Sequence, residues 1–385
     1  MENSRESGRA ATEVAVSAPS SSASLMTLPL ELLIEIIKFA KLSKNPRGVY
    51  VEDRKRLRVL SRVCKLFRVF TISDLFKTVC RTVDEDEIQA QLKAIEGNAL
   101  ILGSIRHLSL CTRGPEWPPT KWRNDYDPSI TTCSRTTAAL LVEILRKTTP
   151  EEVRITFKCG NKSMVAFFRA ELEKQKACLQ SVRVLVYPSS VTTSFIPQTF
   201  PNLRCLSLVL DGSPMHTAGL RVIAPKLQTL ATLELYKAHW KSSDLEEVVK
   251  LFPSINYLLI DGELKSTRVS SLIPILKRLS HLEKLALTEI PFVYPPRGLV
   301  GEPLQAMLKT LRANHVLRES SGTNAIHFFR QCKSLKELLL KCDTHSRVYR
   351  SVGQNRAVIG AKSRNRNNTG LGRIKKGWPV LTKAI

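Results

Sequence analysis

An apolar residue, two others, then two apolar residues separated by one: this phrase recurs through the middle of the chain, and it constrains the fold more than any other feature. It stands at Ile105-Leu108-Leu110, Leu179-Val182-Val184, Leu203-Leu206-Leu208, Leu230-Leu233-Leu235, Ile255-Leu258-Ile260, Leu282-Leu285-Leu287 and Leu335-Leu338-Leu340. From 179 to 282 the starts lie 24, 27, 25 and 27 residues apart, and the last start lies 53 further on. The closing pair of each phrase alternates as a half-buried strand does. One strand and one helix cannot bury their apolar faces alone, whereas copies stacked side by side make a continuous core.

The intervals should hold the helices. Candidates are 137–147 with Leu140, Leu141, Ile144 and Leu145, and 163–175 with Val165, Phe167, Phe168 and Leu172. Further candidates follow at 244–252, 269–279, 304–313 and 324–332. Ser243 suits an N-cap before Asp244, with Glu246 and Glu247 well placed for the helix dipole. A separate helical region precedes the repeats. Pro29 is suited to open a helix, because its φ is preset and its missing N–H is not needed there. Leu32, Leu33, Ile36, Ile37 and Ala40 then line one face, followed by stripes at Leu57, Leu60, Val63, Cys64 and Phe67 and at Ile72, Leu75, Phe76 and Val79. Three helices of this size bury little among themselves, so a leftover stripe calls for the rest of the chain or a partner.

Two resemblances rest on these residues. The phrase and its period resemble a leucine-rich repeat. It departs from the regular form where an Asn or Cys is expected three residues after the last leucine: six phrases have Arg113, Asp211, Ala238, Glu263, Ile290 and Asp343 there. The expectation is therefore an irregular solenoid, and an α/β fold of similar leucine content fits the same short runs. Residues 28–67 resemble an F-box, the module that docks onto Skp-type adaptors of cullin-RING ubiquitin ligases. That resemblance assigns adaptor binding to Leu28, Pro29, Leu32, Ile36, Leu57, Leu60, Val63 and Phe67. The connection from Lys41 to Asp53 is longer and more basic than the family's usual link, and a plain helical hairpin fits the same stripes.

The expected organisation is α/β: a disordered leader at 1–24, a three-helix F-box-like module at 25–80, a linker helix at 81–104, an irregular leucine-rich-repeat solenoid at 105–343 and a basic disordered tail at 344–385. The resemblance implies a substrate receptor that partners a Skp-type adaptor and cullin scaffold and captures a target protein. In the repeats, residues between the inward leucines should point outward. These are His107, Ser109, Arg183, Ser207, Thr232, Glu234, Tyr236, Tyr257, Asp261, Lys284, Glu337 and Lys341. Mixed charges with two tyrosines suit protein recognition better than nucleic acid. Trp117-Pro118-Pro119-Thr120-Lys121-Trp122 and Tyr126 form an aromatic insertion that could anchor a partner or pack across an end.

Composition narrows the remaining choices. The chain has 385 residues, enough for a substantial core, with no run long and apolar enough to span a bilayer, and its first two dozen residues, rich in Ser and Ala without an apolar stretch, are expected to be a disordered leader and not a secretory signal. Cytosolic or nuclear residence is expected. Nine cysteines without any C-x-x-C pair frame neither a disulfide scaffold nor a zinc site, and Cys64, Cys205 and Cys332 read as small core residues. Ten of the 25 net positive charges fall in residues 344–385, which contain no Asp or Glu. Together with the basic link, this tail supports a second reading as a nucleic-acid-associated protein, and an interaction scaffold with a degenerate F-box is a third. No phosphate-binding glycine motif, nucleophile elbow or H-E-x-x-H is present. His107 and Cys111 read as a surface pair, and neither enzyme activity nor a cofactor or metal is expected.

Overall fold

The computed structural model describes residues 28–44, 50–113, 135–157, 162–187, 193–210, 216–264, 269–288, 328–342, 345–352 and 357–363. The chain divides into two compact units, residues 1–75 and 76–385.

Three helices make up most of the described part of the first unit: α1 (Leu30–Ala40), α2 (Arg54–Val63) and α3 (Lys65–Phe76). Pro29 stands at the N-cap of α1, and its carbonyl accepts the Leu33 N–H at 3.1 Å. The long basic link is partly structured, because β1 (Leu42–Lys44) pairs antiparallel with β2 (Tyr50–Glu52). Asp53 then caps α2 by accepting the Lys55 N–H at 2.8 Å, as a short carboxylate at that position does. Between α2 and α3 the Cys64 Sγ accepts the Phe67 N–H at 3.4 Å, so this thiol helps to satisfy a helix start as well as to pack.

The second unit is mixed α/β, built on one eleven-stranded sheet whose strands follow chain order from edge to edge. Nine are mutually parallel: β3 (Thr78–Asp84), β4 (His107–Arg113), β5 (Glu152–Phe157), β6 (Val184–Tyr187), β7 (Cys205–Leu210), β8 (Thr232–Trp240), β9 (Tyr257–Leu264), β10 (Lys284–Thr288) and β11 (Glu337–Cys342). Parallel neighbours need a crossover, and helices supply it. They are α4 (Glu85–Glu96) and α5 (Ala99–Ser104), then α6 (Arg135–Lys147), α7 (Lys162–Lys174), α8 (Ile196–Thr199), α9 (His216–Ile223), α10 (Ser242–Leu251) and α11 (Val269–Leu276). A helical turn at 328–331 precedes β11.

Alternation decides where the core sits. Leu108, Val153, Leu185, Leu206, Leu233, Leu258, Leu285 and Leu338 stand opposite one another across successive strands. They share one hydrophobic cluster with Ile88, Leu141, Phe168, Leu220, Leu245 and Leu272 from the helices. Before each strand a backbone bond repeats the stacking: Arg183 N to Glu151 O, Arg204 N to Arg183 O, Ala231 N to Arg204 O, Asn256 N to Ala231 O.

Several sequence expectations need correction. β3 lies where the third stripe and the start of a linker helix were expected, and Val79 pairs with Leu108 in the sheet. β5 follows Pro150 without a leucine phrase, and Val153 and Ile155 take the buried positions. The phrase at 179 is displaced by three residues, because Leu185, not Val182, pairs with Leu206. The run Leu179-Val182-Leu185 has apolar residues at both spacings, and only the neighbouring strands choose between them. Helix α10 begins at Ser242, so Ser243 is inside it; the Asp244 carboxylate instead accepts the Lys241 N–H at 3.0 Å. In the expected disordered tail, β12 (His345–Val352) pairs antiparallel with β11, and β13 (Ala357–Ser363) pairs with β12. The last parallel strand offers a row of backbone donors and acceptors, and this hairpin satisfies them despite its like charges. The aromatic insertion at 117–126 and the candidate helix at 304–313 lie outside the described residues.

Candidate functional site

Two surfaces carry the candidate residues, one in each unit. In the first, Leu33, Ile37 and Phe67 form a small core, with Leu28, Leu60, Cys64, Leu66 and Phe70 packed against it. Leu57 is fully buried. Leu57 and Phe67 therefore hold the unit together and cannot also be its docking face, which corrects their assignment as contact residues. Leu28 and Leu60 are half-buried against that core, and the remaining candidates face outward. Leu32 is 51 % exposed, Ile36 36 % and Val63 57 %, and Pro29 is exposed as well. Phe39 extends this row and is the barest of all at 73 %. Leu28, Leu32, Glu35, Ile36, Phe39 and Ala40 line a groove of about 550 Å³ along α1. Phe39 falls one turn beyond the family's motif, so the motif did not point to it, although it lies three residues after Ile36.

The second surface is the face of the sheet opposite the leucine core. Register aligns it in rows. His107, Glu152, Val184, Cys205, Thr232, Tyr257, Lys284 and Glu337 form one row; Ser109, Arg154, Val186, Ser207, Glu234, Leu259, Ala286 and Leu339 form the next. Tyr236, Asp261, Thr288 and Lys341 belong to a third. Arg183 does not join them. Displaced with its phrase, it precedes β6 on the rim of strand entries, and Val184 and Val186 take the face positions instead. Glu152 and Arg154 were missed, since nothing marked β5 as a strand.

This face is a packed polar layer more than an open surface. Glu234 is 2 % exposed and Asp261 3 %. Tyr257, Leu259, Ala286 and Leu339 form a second hydrophobic cluster, with Tyr236 packed against it. The Tyr236 hydroxyl donates to Glu234 Oε2 at 3.3 Å. Burial, reinforced by the neighbouring Glu234 and Asp261 carboxylates, pushes the Tyr236 phenol far above its ordinary range, and burial with Glu234 does the same to Tyr257. Both remain neutral hydrogen-bonding groups at any physiological pH. Arg154 pairs with Glu152, whose other oxygen lies 3.4 Å from His107 Nδ1. Burial lowers the Arg154 pKa, and the Glu234 charge opposes that shift. Burial also lowers the His107 pKa, with Glu151 opposing and Lys77 and Arg154 reinforcing it. At the far end of the row, Lys284 Nζ approaches Glu337 Oε2 at 3.8 Å, and both side chains keep some exposure. The register places Lys341 beside Thr288.

Burial pushes the Cys332 thiol up to about 11, as for a small core residue, and Cys205 is buried too. Among the described residues no group of three or more His, Cys, Asp or Glu is placed to hold a metal ion, and no helix is long and apolar enough to cross a membrane. No family model matches the chain, and no curated protein matches it.

Proposed function

We propose that the chain is a protein-binding receptor of the F-box and leucine-rich-repeat kind: the first unit docks a Skp-type adaptor of a cullin-RING ubiquitin ligase, and the second holds a target protein. The observation that carries this reading is the bare apolar row Leu32, Ile36 and Phe39 on a helix whose other face, Leu33 and Ile37, is already buried. An unpaid apolar row beside a groove is what a helix-in-groove contact uses. In the second unit, strict chain order of parallel strands and aligned leucine phrases support the repeat reading, with the side opposite the leucines as the target surface. His107, Arg154, Lys284 and Glu337 are among the face residues that retain exposure there. The chain's contribution would be proximity, bringing target lysines to a ubiquitin-charged enzyme in the cytosol or nucleus.

Co-expression of the full chain with a Skp-type adaptor, followed by size-exclusion chromatography at moderate and high salt, tests the reading. A one-to-one complex at both is expected. Leu32, Ile36 and Phe39 have a third to three quarters of their surface still to bury, worth about 2 to 4 kcal/mol together. Replacing all three by Ala should weaken the complex roughly 30- to 1,000-fold. Free adaptor beside folded, wild-type chain would sink the proposal.

A further inference from the structure

The charge on α2 is distributed unlike that of any other described helix. From Arg54 to Arg68 the sequence holds seven basic residues, Arg54, Lys55, Arg56, Arg58, Arg62, Lys65 and Arg68, and no acidic one. All seven are exposed. Other helices neutralise their cations locally, as Lys147 does with Glu143 and Glu96, Arg169 with Glu173 and Arg221 with Glu247. Here Arg56 approaches the Asp53 carboxylate at a loose 4.0 Å. Among the described residues the side chains of Lys55, Arg58, Arg62 and Lys65 have no ion-pair partner.

Helical spacing then collects these cations with apolar residues. Lys55, Arg58, Val59, Arg62 and Val63 fall at i, i+3, i+4, i+7 and i+8, one face of α2, while Leu57 points the other way and is fully buried. Val59 is 65 % exposed and Val63 57 %. Arg58 and Arg62 repel each other at i, i+4, a spacing at which an acidic residue would have stabilised the helix. Solvation alone accounts for exposed arginines. It does not account for two bare valines between them.

We infer that this outward face of α2 binds an acidic, amphipathic protein segment, its carboxylates meeting Arg58, Arg62 and Lys55 and its apolar side chains covering Val59 and Val63. Charge complementarity selects an anionic partner, and the interleaved valines favour protein over nucleic acid, whose phosphates gain nothing from them. The surface is separate from the α1 groove, whose lining includes no residue of α2. Val63 is the one residue that this face shares with the adaptor candidates, and the Leu32→Ala/Ile36→Ala variant below separates the two readings.

The test is fluorescence anisotropy of the full chain with a labelled synthetic helix that alternates Glu and Leu at i, i+3 and i+4 spacing. Binding is expected, with a loss of roughly tenfold or more for Arg58→Glu/Arg62→Glu, corresponding to the usual 1.4 kcal/mol per decade. Val59→Ser/Val63→Ser should weaken it by a smaller factor, and Leu32→Ala/Ile36→Ala should leave it unchanged. If the charge reversal fails to fold by circular dichroism, Arg58→Gln/Arg62→Gln replaces it. No binding by the wild type overturns the inference. So does binding that ignores the valine changes, or preferential binding of duplex DNA or phosphatidylserine vesicles over the peptide.

Discussion

Leu233 and Leu32 are the same residue type in phrases that both look like core, yet one is fully buried in the sheet unit and the other is half exposed on α1. The difference is one of neighbours. In the sheet unit each strand residue has a counterpart on either side, so the buried row is extended by every added strand, and Leu206, Leu258 and Leu285 are as dry as Leu233. Among the described residues the N-terminal unit has a core of Leu33, Ile37 and Phe67, with Leu57 also buried, and a second apolar row that stays exposed. Stacking is self-sufficient in the first case. In the second, apolar surface is kept available for something else.

The largest expected effect tests that contrast directly. Leu233→Ala should destabilise the sheet unit by about 3 to 5 kcal/mol through lost transfer energy and a cavity. Leu32→Ala should change stability by no more than about 0.5 kcal/mol. Urea unfolding of the two variants beside the wild type measures both, and equal losses would erase the distinction.

Next in size is Gly262, which has φ 131° in β9, at the point where the pairing with β8 shifts register between Tyr236 and His239. A side chain there is strained whatever space is available. Gly262→Ala should cost roughly 1 to 3 kcal/mol, read as a lower urea midpoint. A neutral result would mean that the bulge relaxes freely and that the sheet is less tightly registered than its leucine rows suggest.

On the other side of the comparison, Asp53→Ala removes the cap of α2 and should cost about 1 kcal/mol in the N-terminal unit, measured by thermal unfolding followed by circular dichroism. No loss would mean that packing of Leu57 alone sets the helix start.

The smallest effect is a pH dependence. His107 has a lowered pKa in the folded chain, mainly from burial, so between that value and its ordinary 6.5 the unfolded chain binds more protons. Stability from this group is complete above about pH 6.5 and declines as pH falls through the window below it. Comparing wild type with His107→Gln in urea melts across that range should show a shallower slope in the variant; identical slopes would assign the pH dependence to other groups.

Much of the fold was legible because its signals are local. Alternation at Leu206-Leu208 or Leu258-Ile260 marks a strand, and the 3.6-residue stripes of α6 and α7 mark helices within one or two residues of where they lie. β5 was illegible because Pro150, Val153 and Ile155 satisfy the pattern without a leucine, and β3 because Phe76 and Val79 fit a helical stripe equally well. On the candidate surfaces, the sequence pointed to Leu32 and Ile36 but also to Leu57 and Phe67, since a stripe does not say which of two apolar rows a helix will bury. Among the face residues it found Glu234, Tyr236, Tyr257 and Asp261, yet not that they are packed into a polar layer.

What the sequence determined by itself is therefore the alternation of strands and helices, the apolar phrase that repeats, and a cationic, partly apolar α2. Tertiary structure alone decided that Leu185 stands beside Leu206, that Glu152 joins the row of His107 and Arg154 that of Ser109, and that 345–352 and 357–363 extend the sheet. The reason is physical: parallel pairing joins residues tens of positions apart through backbone bonds that carry no side-chain signature, so register is settled by neighbouring strands and not by any one of them.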